Sequence, residues 1–307
     1  MPTSTILSEP LAGLQAQALG LAEAANLSPE VISLQPRAPW RWVSARLWPS
    51  PLPAVGLRDV PGDILMSAGG TAAVVANALR QPGRRLVQVQ HPRMDPGRFD
   101  IVVVNRHDGI AGPNIVVTRT ALHRVTAARL AEAAAVWAPR LAHLPRPLVA
   151  VLIGGSNGRF RLDRPVAAQL GSQLAAMMRA DQVGLALTPS RRTSEDARQA
   201  LAAAVSPLGG WVWDMAGENP YFGMLALADA IVVTEDSVSM VSEAVATTAP
   251  VLLAGLPGRS RRIRLFTRLL QEDGRVRPFS GRLDLWPVTP LDDTGAAGQD
   301  VRHRLGY

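Results

Sequence analysis

The runs LVAVLI at 148–153, DIVVV at 100–104 and AIVVT at 230–234 are apolar, mostly β-branched, and lack the polar alternation of a half-exposed strand. A strand of this kind must be covered on both faces. Between such runs lie stretches with helical spacing, of which ALHRVTAARLAEAAAVW at 121–137 is the longest. The first half offers strands at 31–34, 63–67, 85–89, 100–104 and 114–118, with helices at 15–25, 71–80 and 124–137. The second half restarts the pattern: strands at 148–153, 183–188, 210–213, 230–234 and 251–253, and helices at 165–179, 194–205, 221–228, 238–247 and 262–273. Strand and helix in alternation predict parallel sheets with helices on both faces. APRLAHLPRP at 138–147 interrupts the series with three prolines. The expected fold is therefore α/β, with two Rossmann-like domains at 1–142 and 143–307 facing a cleft. Thr193-x-x-Asp196 reads as a capping box and Gly274 as a helix stop. The polar tail from Asp292 is expected to be poorly ordered.

Composition removes whole classes of chemistry. The chain has no cysteine, and its 32 basic residues are all arginine. Disulfides, thiolate nucleophiles, cysteine-bound zinc and iron–sulfur clusters are out. So are Schiff bases, a pyridoxal-phosphate anchor and a Walker A clamp. The missing lysine and the lack of a G-x-G-x-x-G turn also argue against a nucleotide-sugar epimerase or short-chain dehydrogenase. Five histidines without HExxH-like spacing argue against a metal site. The net charge of +7 invites a nucleic-acid reading, but the arginines are scattered and no nucleic-acid motif appears. Phosphates of nucleotides or lipids remain natural partners. MPTSTILSEP lacks the basic and apolar regions of a secretory signal, and no apolar run reaches membrane-spanning length, so a cytoplasmic protein is expected.

Ligands of open parallel sheets bind beyond the carboxyl ends of the strands, so the residues just after each strand are the candidates. GGSNGRF (154–160) brings Gly154 and Gly155, whose backbone can approach an anion, with Ser156 and Asn157 beside them. The alternative is a plain glycine turn. PSRRT (189–193) places Arg191 and Arg192 at a helix start, as a phosphate clamp or a solvated pair. EDSVSMVSEA (235–244) sets Asp236, Ser237 and Ser239 at another helix start, with Glu243 one turn beyond Ser239 on the same face. In the first half SAGGT (67–71) repeats the strand–glycine–helix turn. NRHDG (105–109) puts His107 next to Asp108, a candidate general base or a solvated loop pair.

Two arginine-bearing segments remain. PRAPWRWVSARLWPSPLP (36–53) holds Trp40, Trp42, Trp48 and three arginines, with no acid. That suits either an anionic membrane surface or a loop whose tryptophans fill a core. Residues 259–277 carry seven arginines, most expected to face solvent.

GLQAQALGLAEA (13–24), PWRWVSARLWP (39–49), FDIVVVNRHD (99–108), LIGGSNGRFR (152–161) and ENPYFGMLALADAIVVTEDSVSMVSEA (218–244) together resemble the Elongated Mitochondria family of plant mitochondrial-fission proteins and bacterial relatives. That resemblance implies a GT-B type glycosyltransferase-like fold. Its second half is similar to the transferase that adds N-acetylglucosamine to a lipid-linked peptidoglycan precursor. By that likeness Glu243 holds a donor ribose, and the glycine and serine turns hold the diphosphate of a nucleotide-sugar. Arg191 or Arg192 neutralises the leaving group without a metal, and no further cofactor is implied. A lipid-linked acceptor and a peripheral place on the inner membrane follow from the same likeness. The alternative is an adaptor that keeps the fold, since plant members recruit a dynamin-type GTPase. The chain departs from the family pattern at Leu14, and at Thr248-Ala249-Pro250, where a glycine usually ends the helix. A different cap is expected there.

Overall fold

The computed structural model describes residues 3–307; the first two residues of the stretch read for a signal lie outside them. The chain forms two compact units, one of residues up to Arg124 together with Asp292–Tyr307, the other of Val125–Leu291.

The first unit runs β1 (Ser4–Ser8), α1 (Ala12–Ala24), β2 (Pro29–Ser33), α2 (Pro51–Val55), β3 (Ile64–Ala68), α3 (Gly70–Ala78), β4 (Arg85–Val89), β5 (Ile101–Asn105) and β6 (Ile115–Thr118). All six strands are parallel, in the order β2-β1-β3-β4-β5-β6. The order reverses between β1 and β3. β1 is missing from the sequence-predicted strands because STILS is largely polar, yet all five residues are buried. Thr5 Oγ1 donates to the Pro61 carbonyl at 2.6 Å and Ser8 Oγ to that of Glu9 at 2.8 Å, so burial leaves these hydroxyls paired.

The second unit runs α4 (Ala127–Leu141), β7 (Leu148–Ile153), α5 (Arg164–Asp181), β8 (Gly184–Pro189), α6 (Glu195–Val205), β9 (Trp211–Val212), α7 (Tyr221–Leu227), β10 (Ala230–Thr234), α8 (Val238–Val245), β11 (Val251–Ala254), α9 (Arg261–Glu272) and β12 (Val276–Pro278). Its parallel sheet has the order β12-β11-β10-β7-β8-β9, the doubly wound order, which reverses between β7 and β10. β7 shows why its run is uninterrupted. Val149, Val151 and Ile153 pack into one apolar cluster, while Leu148, Ala150 and Leu152 pack into the other, on the opposite face.

Two expectations are corrected. The boundary near residue 142 moves upstream, because α4 packs on α7. A Cβ at Gly223 would collide with Trp137, so only glycine allows this approach, and Trp137 and Leu141 belong to the second unit's core. The tail is not disordered either: α10 (Thr294–Leu305) returns to the first unit and lies on α1. Gly298 meets the Ala24 backbone with no room for a side chain, and Ala297, Val301 and Leu305 are buried. A three-residue apolar stripe at i, i+4 and i+8 is a faint signal, and Arg119 clamps the helix start through Asp293. Among the described residues no helix is long and apolar enough to cross a membrane.

Candidate functional site

The order of the second sheet reverses between β7 and β10, and such a reversal opens a crevice at the carboxyl ends. The loops after β7, β8 and β10 meet there. Gly154 N–H donates to Thr234 Oγ1 at 2.8 Å and Gly155 N–H to Asp236 Oδ2 at 3.2 Å. The Gly154 carbonyl accepts from Ser190 Oγ and from Thr193 Oγ1, both at 2.5 Å. A Cβ on Gly154 would strike the Asp236 carboxylate, and one on Gly155 the Arg192 carbonyl. The glycines therefore serve the close approach of three loops. The backbone of Gly154 and Gly155, expected to approach an anion, has both amides engaged inside the protein.

Ser156 and Asn157 are exposed but shape their own loop. Ser156 Oγ accepts from Leu162 N–H at 2.8 Å, and Asn157 Oδ1 from the N–H of Arg159 and Phe160 at 2.9 and 3.0 Å. The two arginines of the β8 loop separate. Arg192 Nη1 lies 2.7 Å from Asp236 Oδ2 and donates to the Gly155 carbonyl at 3.0 Å, while the Asp236 side chain is fully buried. Breaking a buried carboxylate's ion pair costs about 3–5 kcal/mol, so this contact fixes the loops. Arg191 is exposed and makes no hydrogen bond or ion pair with any described residue. The helix cap also shifts by one residue: Ser194, not Thr193, accepts from Ala197 N–H at 3.3 Å, because Thr193 is turned toward Gly154.

Ser237 caps α8, accepting from Met240 N–H at 3.4 Å, and Ser239 sits partly buried in the first turn. Glu243, one turn on, accepts a 2.5 Å hydrogen bond from Tyr221 Oη on α7. Burial raises the Glu243 carboxyl from 4.5 to about 7, with the Tyr221 hydrogen bond pulling the other way. Burial, then the Glu243 charge, pushes the Tyr221 phenol well above its ordinary value. Tyr221 joins the candidate site through this contact and is absent from the sequence reading; twenty-two positions separate it from Glu243, and no spacing rule links them. The far end of α8 has the different cap expected there. The buried guanidinium of Arg275 donates to the carbonyls of Val245, Thr247 and Ala249 at 2.7, 3.1 and 3.4 Å. Desolvation lowers that guanidinium to about 10.

In the first unit His107 and Asp108 lie in a tight turn after β5 with both side chains buried. Asp108 Oδ2 accepts from Asn105 N–H at 3.3 Å and Asn105 Oδ1 from His107 N–H at 3.1 Å, a reciprocal cap. The ring and carboxylate stand 3.8 Å apart, too far for a hydrogen bond. The tryptophans differ among themselves. Trp48 is a core residue, with Nε1 donating to the Val43 carbonyl at 3.0 Å. Trp40 is half-buried, and Trp42 is 69% exposed. Among the described residues no three histidine or acidic side chains gather as a metal ion needs.

Solved structures share this architecture at low identity. A Methanocaldococcus jannaschii UDP-GlcNAc 2-epimerase, solved in complex with UDP-GlcNAc and UDP, superposes with a TM-score of 0.59 at 12% identity over 99% of both chains. Medicago truncatula UGT71G1, complexed with UDP-glucose, gives 0.53 at 12% identity, over 99% of this chain and 90% of its own. At such identity the likeness is one of fold, the GT-B-like pair of α/β units that the sequence resemblance implied. In sequence, the chain is 32% identical over 275 residues to Mitochondrial fission protein ELM1 of Arabidopsis thaliana, covering 79% of this chain and 64% of that longer protein. An uncharacterized protein of Rickettsia prowazekii, RP120, is 24% identical over 80% of each chain. Residues 12–305 match the family model described as Mitochondrial fission ELM1, and the chain belongs to that family.

Proposed function

We propose that the second unit binds a nucleoside diphosphate, the UDP part of a UDP-sugar, and that the chain is a metal-independent, GT-B-like nucleotide-sugar-binding protein. One observation carries the reading. At the β7/β10 reversal the loops after β7, β8 and β10 are bonded to one another; the β10 loop leads into the first turn of α8, with Glu243 one turn on, and the β8 loop carries Arg191, which bonds to no described residue. In this reading Glu243 Oε1 accepts a hydrogen bond from the ribose. Ser239 and the α8 amides meet the phosphates, and Arg191 offsets their charge. Arg192 and Asp236 act as positioning residues, holding Gly155 in place. The two solved proteins above, crystallised with UDP-sugars, make a nucleotide-sugar the natural ligand to try. The acceptor of the reading is lipid-linked and met at a membrane face.

A second reading, a non-catalytic adaptor, is favoured by the first unit. Of the candidate base pair, the Asp108 carboxylate caps a backbone turn, and the His107 ring stands 3.8 Å from it, too far to share a proton. Calorimetric titration of UDP and UDP-sugars into wild type and Glu243→Ala separates the two. The donor reading expects binding at millimolar ligand or below, weakened about tenfold or more in the variant, the loss of one charged hydrogen bond. No heat from wild type at millimolar ligand would leave the adaptor reading.

A further inference from the structure

The order of the first sheet reverses between β1 and β3, the place where open α/β sheets take their ligands. A cavity of about 350 Å³ lies there. Glu9 follows β1, Gly70 and Thr71 open α3 after β3, and Arg46 and Arg93 add two guanidinium groups. Glu9 is the single acid of this lining. Arg46 makes no hydrogen bond or ion pair with any described residue.

The segment that supplies Arg46 also carries an apolar patch. Trp42, Val43 and Leu47 are 69%, 37% and 72% exposed. No other six-residue stretch of the described residues holds three exposed large apolar side chains, so this is not the scatter of an ordinary surface. The patch is held in place from below: Trp48 and Ala45 are buried, and Trp48 ties the Val43 carbonyl. The Arg41 guanidinium stacks 4.1 Å from the Trp42 ring centre. Between residues 31 and 58 the chain has four arginines and no acid.

We propose that the first unit docks on an anionic phospholipid surface, with Trp42 and Leu47 entering the headgroup layer and the cavity at Arg46 and Arg93 receiving a lipid phosphate. Tryptophan and arginine share the headgroup region, the ring at the apolar boundary and the guanidinium at phosphate. An acidic protein would answer the arginines but would leave two large apolar side chains unexplained. The proposal bears on the membrane side of the function above and needs nothing from the donor site.

Vesicle sedimentation at low salt tests it, with phosphatidylglycerol–phosphatidylcholine mixtures against phosphatidylcholine alone. Wild type binds the anionic vesicles about tenfold or more tightly than the neutral ones, as charge and insertion acting together require. The double variant Trp42→Ala/Leu47→Ala loses about tenfold, Trp42→Phe keeps most of the binding, and Arg46→Glu loses the preference for anionic lipid. Trp42 and Leu47 are exposed, so their variants melt with wild type, and UDP titration of the double variant is unchanged wherever wild type binds UDP. Wild type left in the supernatant, or a double variant that pellets as well as wild type, overturns the proposal. So does an acidic polypeptide that displaces the vesicles and binds the double variant equally well.

Discussion

Gly154→Ala probes the loop junction on which the donor site stands. The backbone of Gly154 is not in the left-handed region, so alanine brings no conformational strain of its own. Its Cβ would strike the carboxylate of Asp236, which is fully buried and held by Arg192 and by Gly155 N–H. The carboxylate must move, and with it goes the Gly155 hydrogen bond. Overpacking a tight site costs about 1–3 kcal/mol, and a lost hydrogen bond to a buried charge about 1.5–3 kcal/mol. The combined loss is about 3 kcal/mol or more, a fall of about 6–12 °C in melting temperature at the usual conversion. The decisive arm is the double variant with Asp236→Ala. With the carboxylate gone, the alanine at 154 occupies vacated space and costs less than about 1 kcal/mol, a coupling of about 2 kcal/mol. Calorimetric melting and urea unfolding supply the energies, and hydrogen exchange across 148–153 assigns them to the second unit. A Gly154→Ala cost within about 0.5 kcal/mol of wild type would mean that the Asp236 carboxylate is not held against Gly154. An equal cost in both backgrounds would mean the same.

Glu243→Gln tests the raised carboxyl. A folded-state value near 7 against 4.5 means the native protein holds the extra proton between those values, so ionised Glu243 lowers stability increasingly from pH 4.5 to 7. Gln should therefore melt higher than wild type at pH 8, by about 1–3 kcal/mol, with the gap closing by pH 4.5; a constant difference would contradict the assignment. Arg275→Met leaves the α8-end carbonyls without their donor, and urea unfolding should show a loss of about 2–4 kcal/mol, whereas a near-neutral change would mean that water replaces the guanidinium. A chain ending at Leu291 loses α10 and uncovers α1. Removing Val301 and Leu305 alone withdraws about 3–6 kcal/mol of burial, so hydrogen exchange should speed up in α1 and β6 and leave α5 and α6 as they were.

The sheets were legible because their strands are covered on both faces, which forces runs such as LVAVLI and AIVVT. β1 escaped the same test: serine and threonine can lie inside a sheet when carbonyls stand close by, and those carbonyls, at Glu9 and Pro61, come from loops no pattern announces. α10 escaped because its partner α1 is nearly three hundred residues away. At the candidate site the residue types were readable and their duties were not. The glycines of 154–155 look like an anion cradle in sequence, but they exist to let Asp236 and the Arg192 carbonyl come close. Arg191 and Arg192 are neighbours and both exposed, yet only Arg192 is fixed on a buried carboxylate. Such distinctions depend on which loop lies beside which, and periodicity carries no information about that.

A crystal soaked in UDP locates a nucleoside diphosphate bound at the carboxyl edge of β7 and β10. Difference density is expected in which the ribose lies within hydrogen-bond reach of Glu243 and the diphosphate meets the first turn of α8 and Arg191. A well-ordered crystal with no density there at millimolar UDP, or with UDP bound away from Glu243, would contradict that placement.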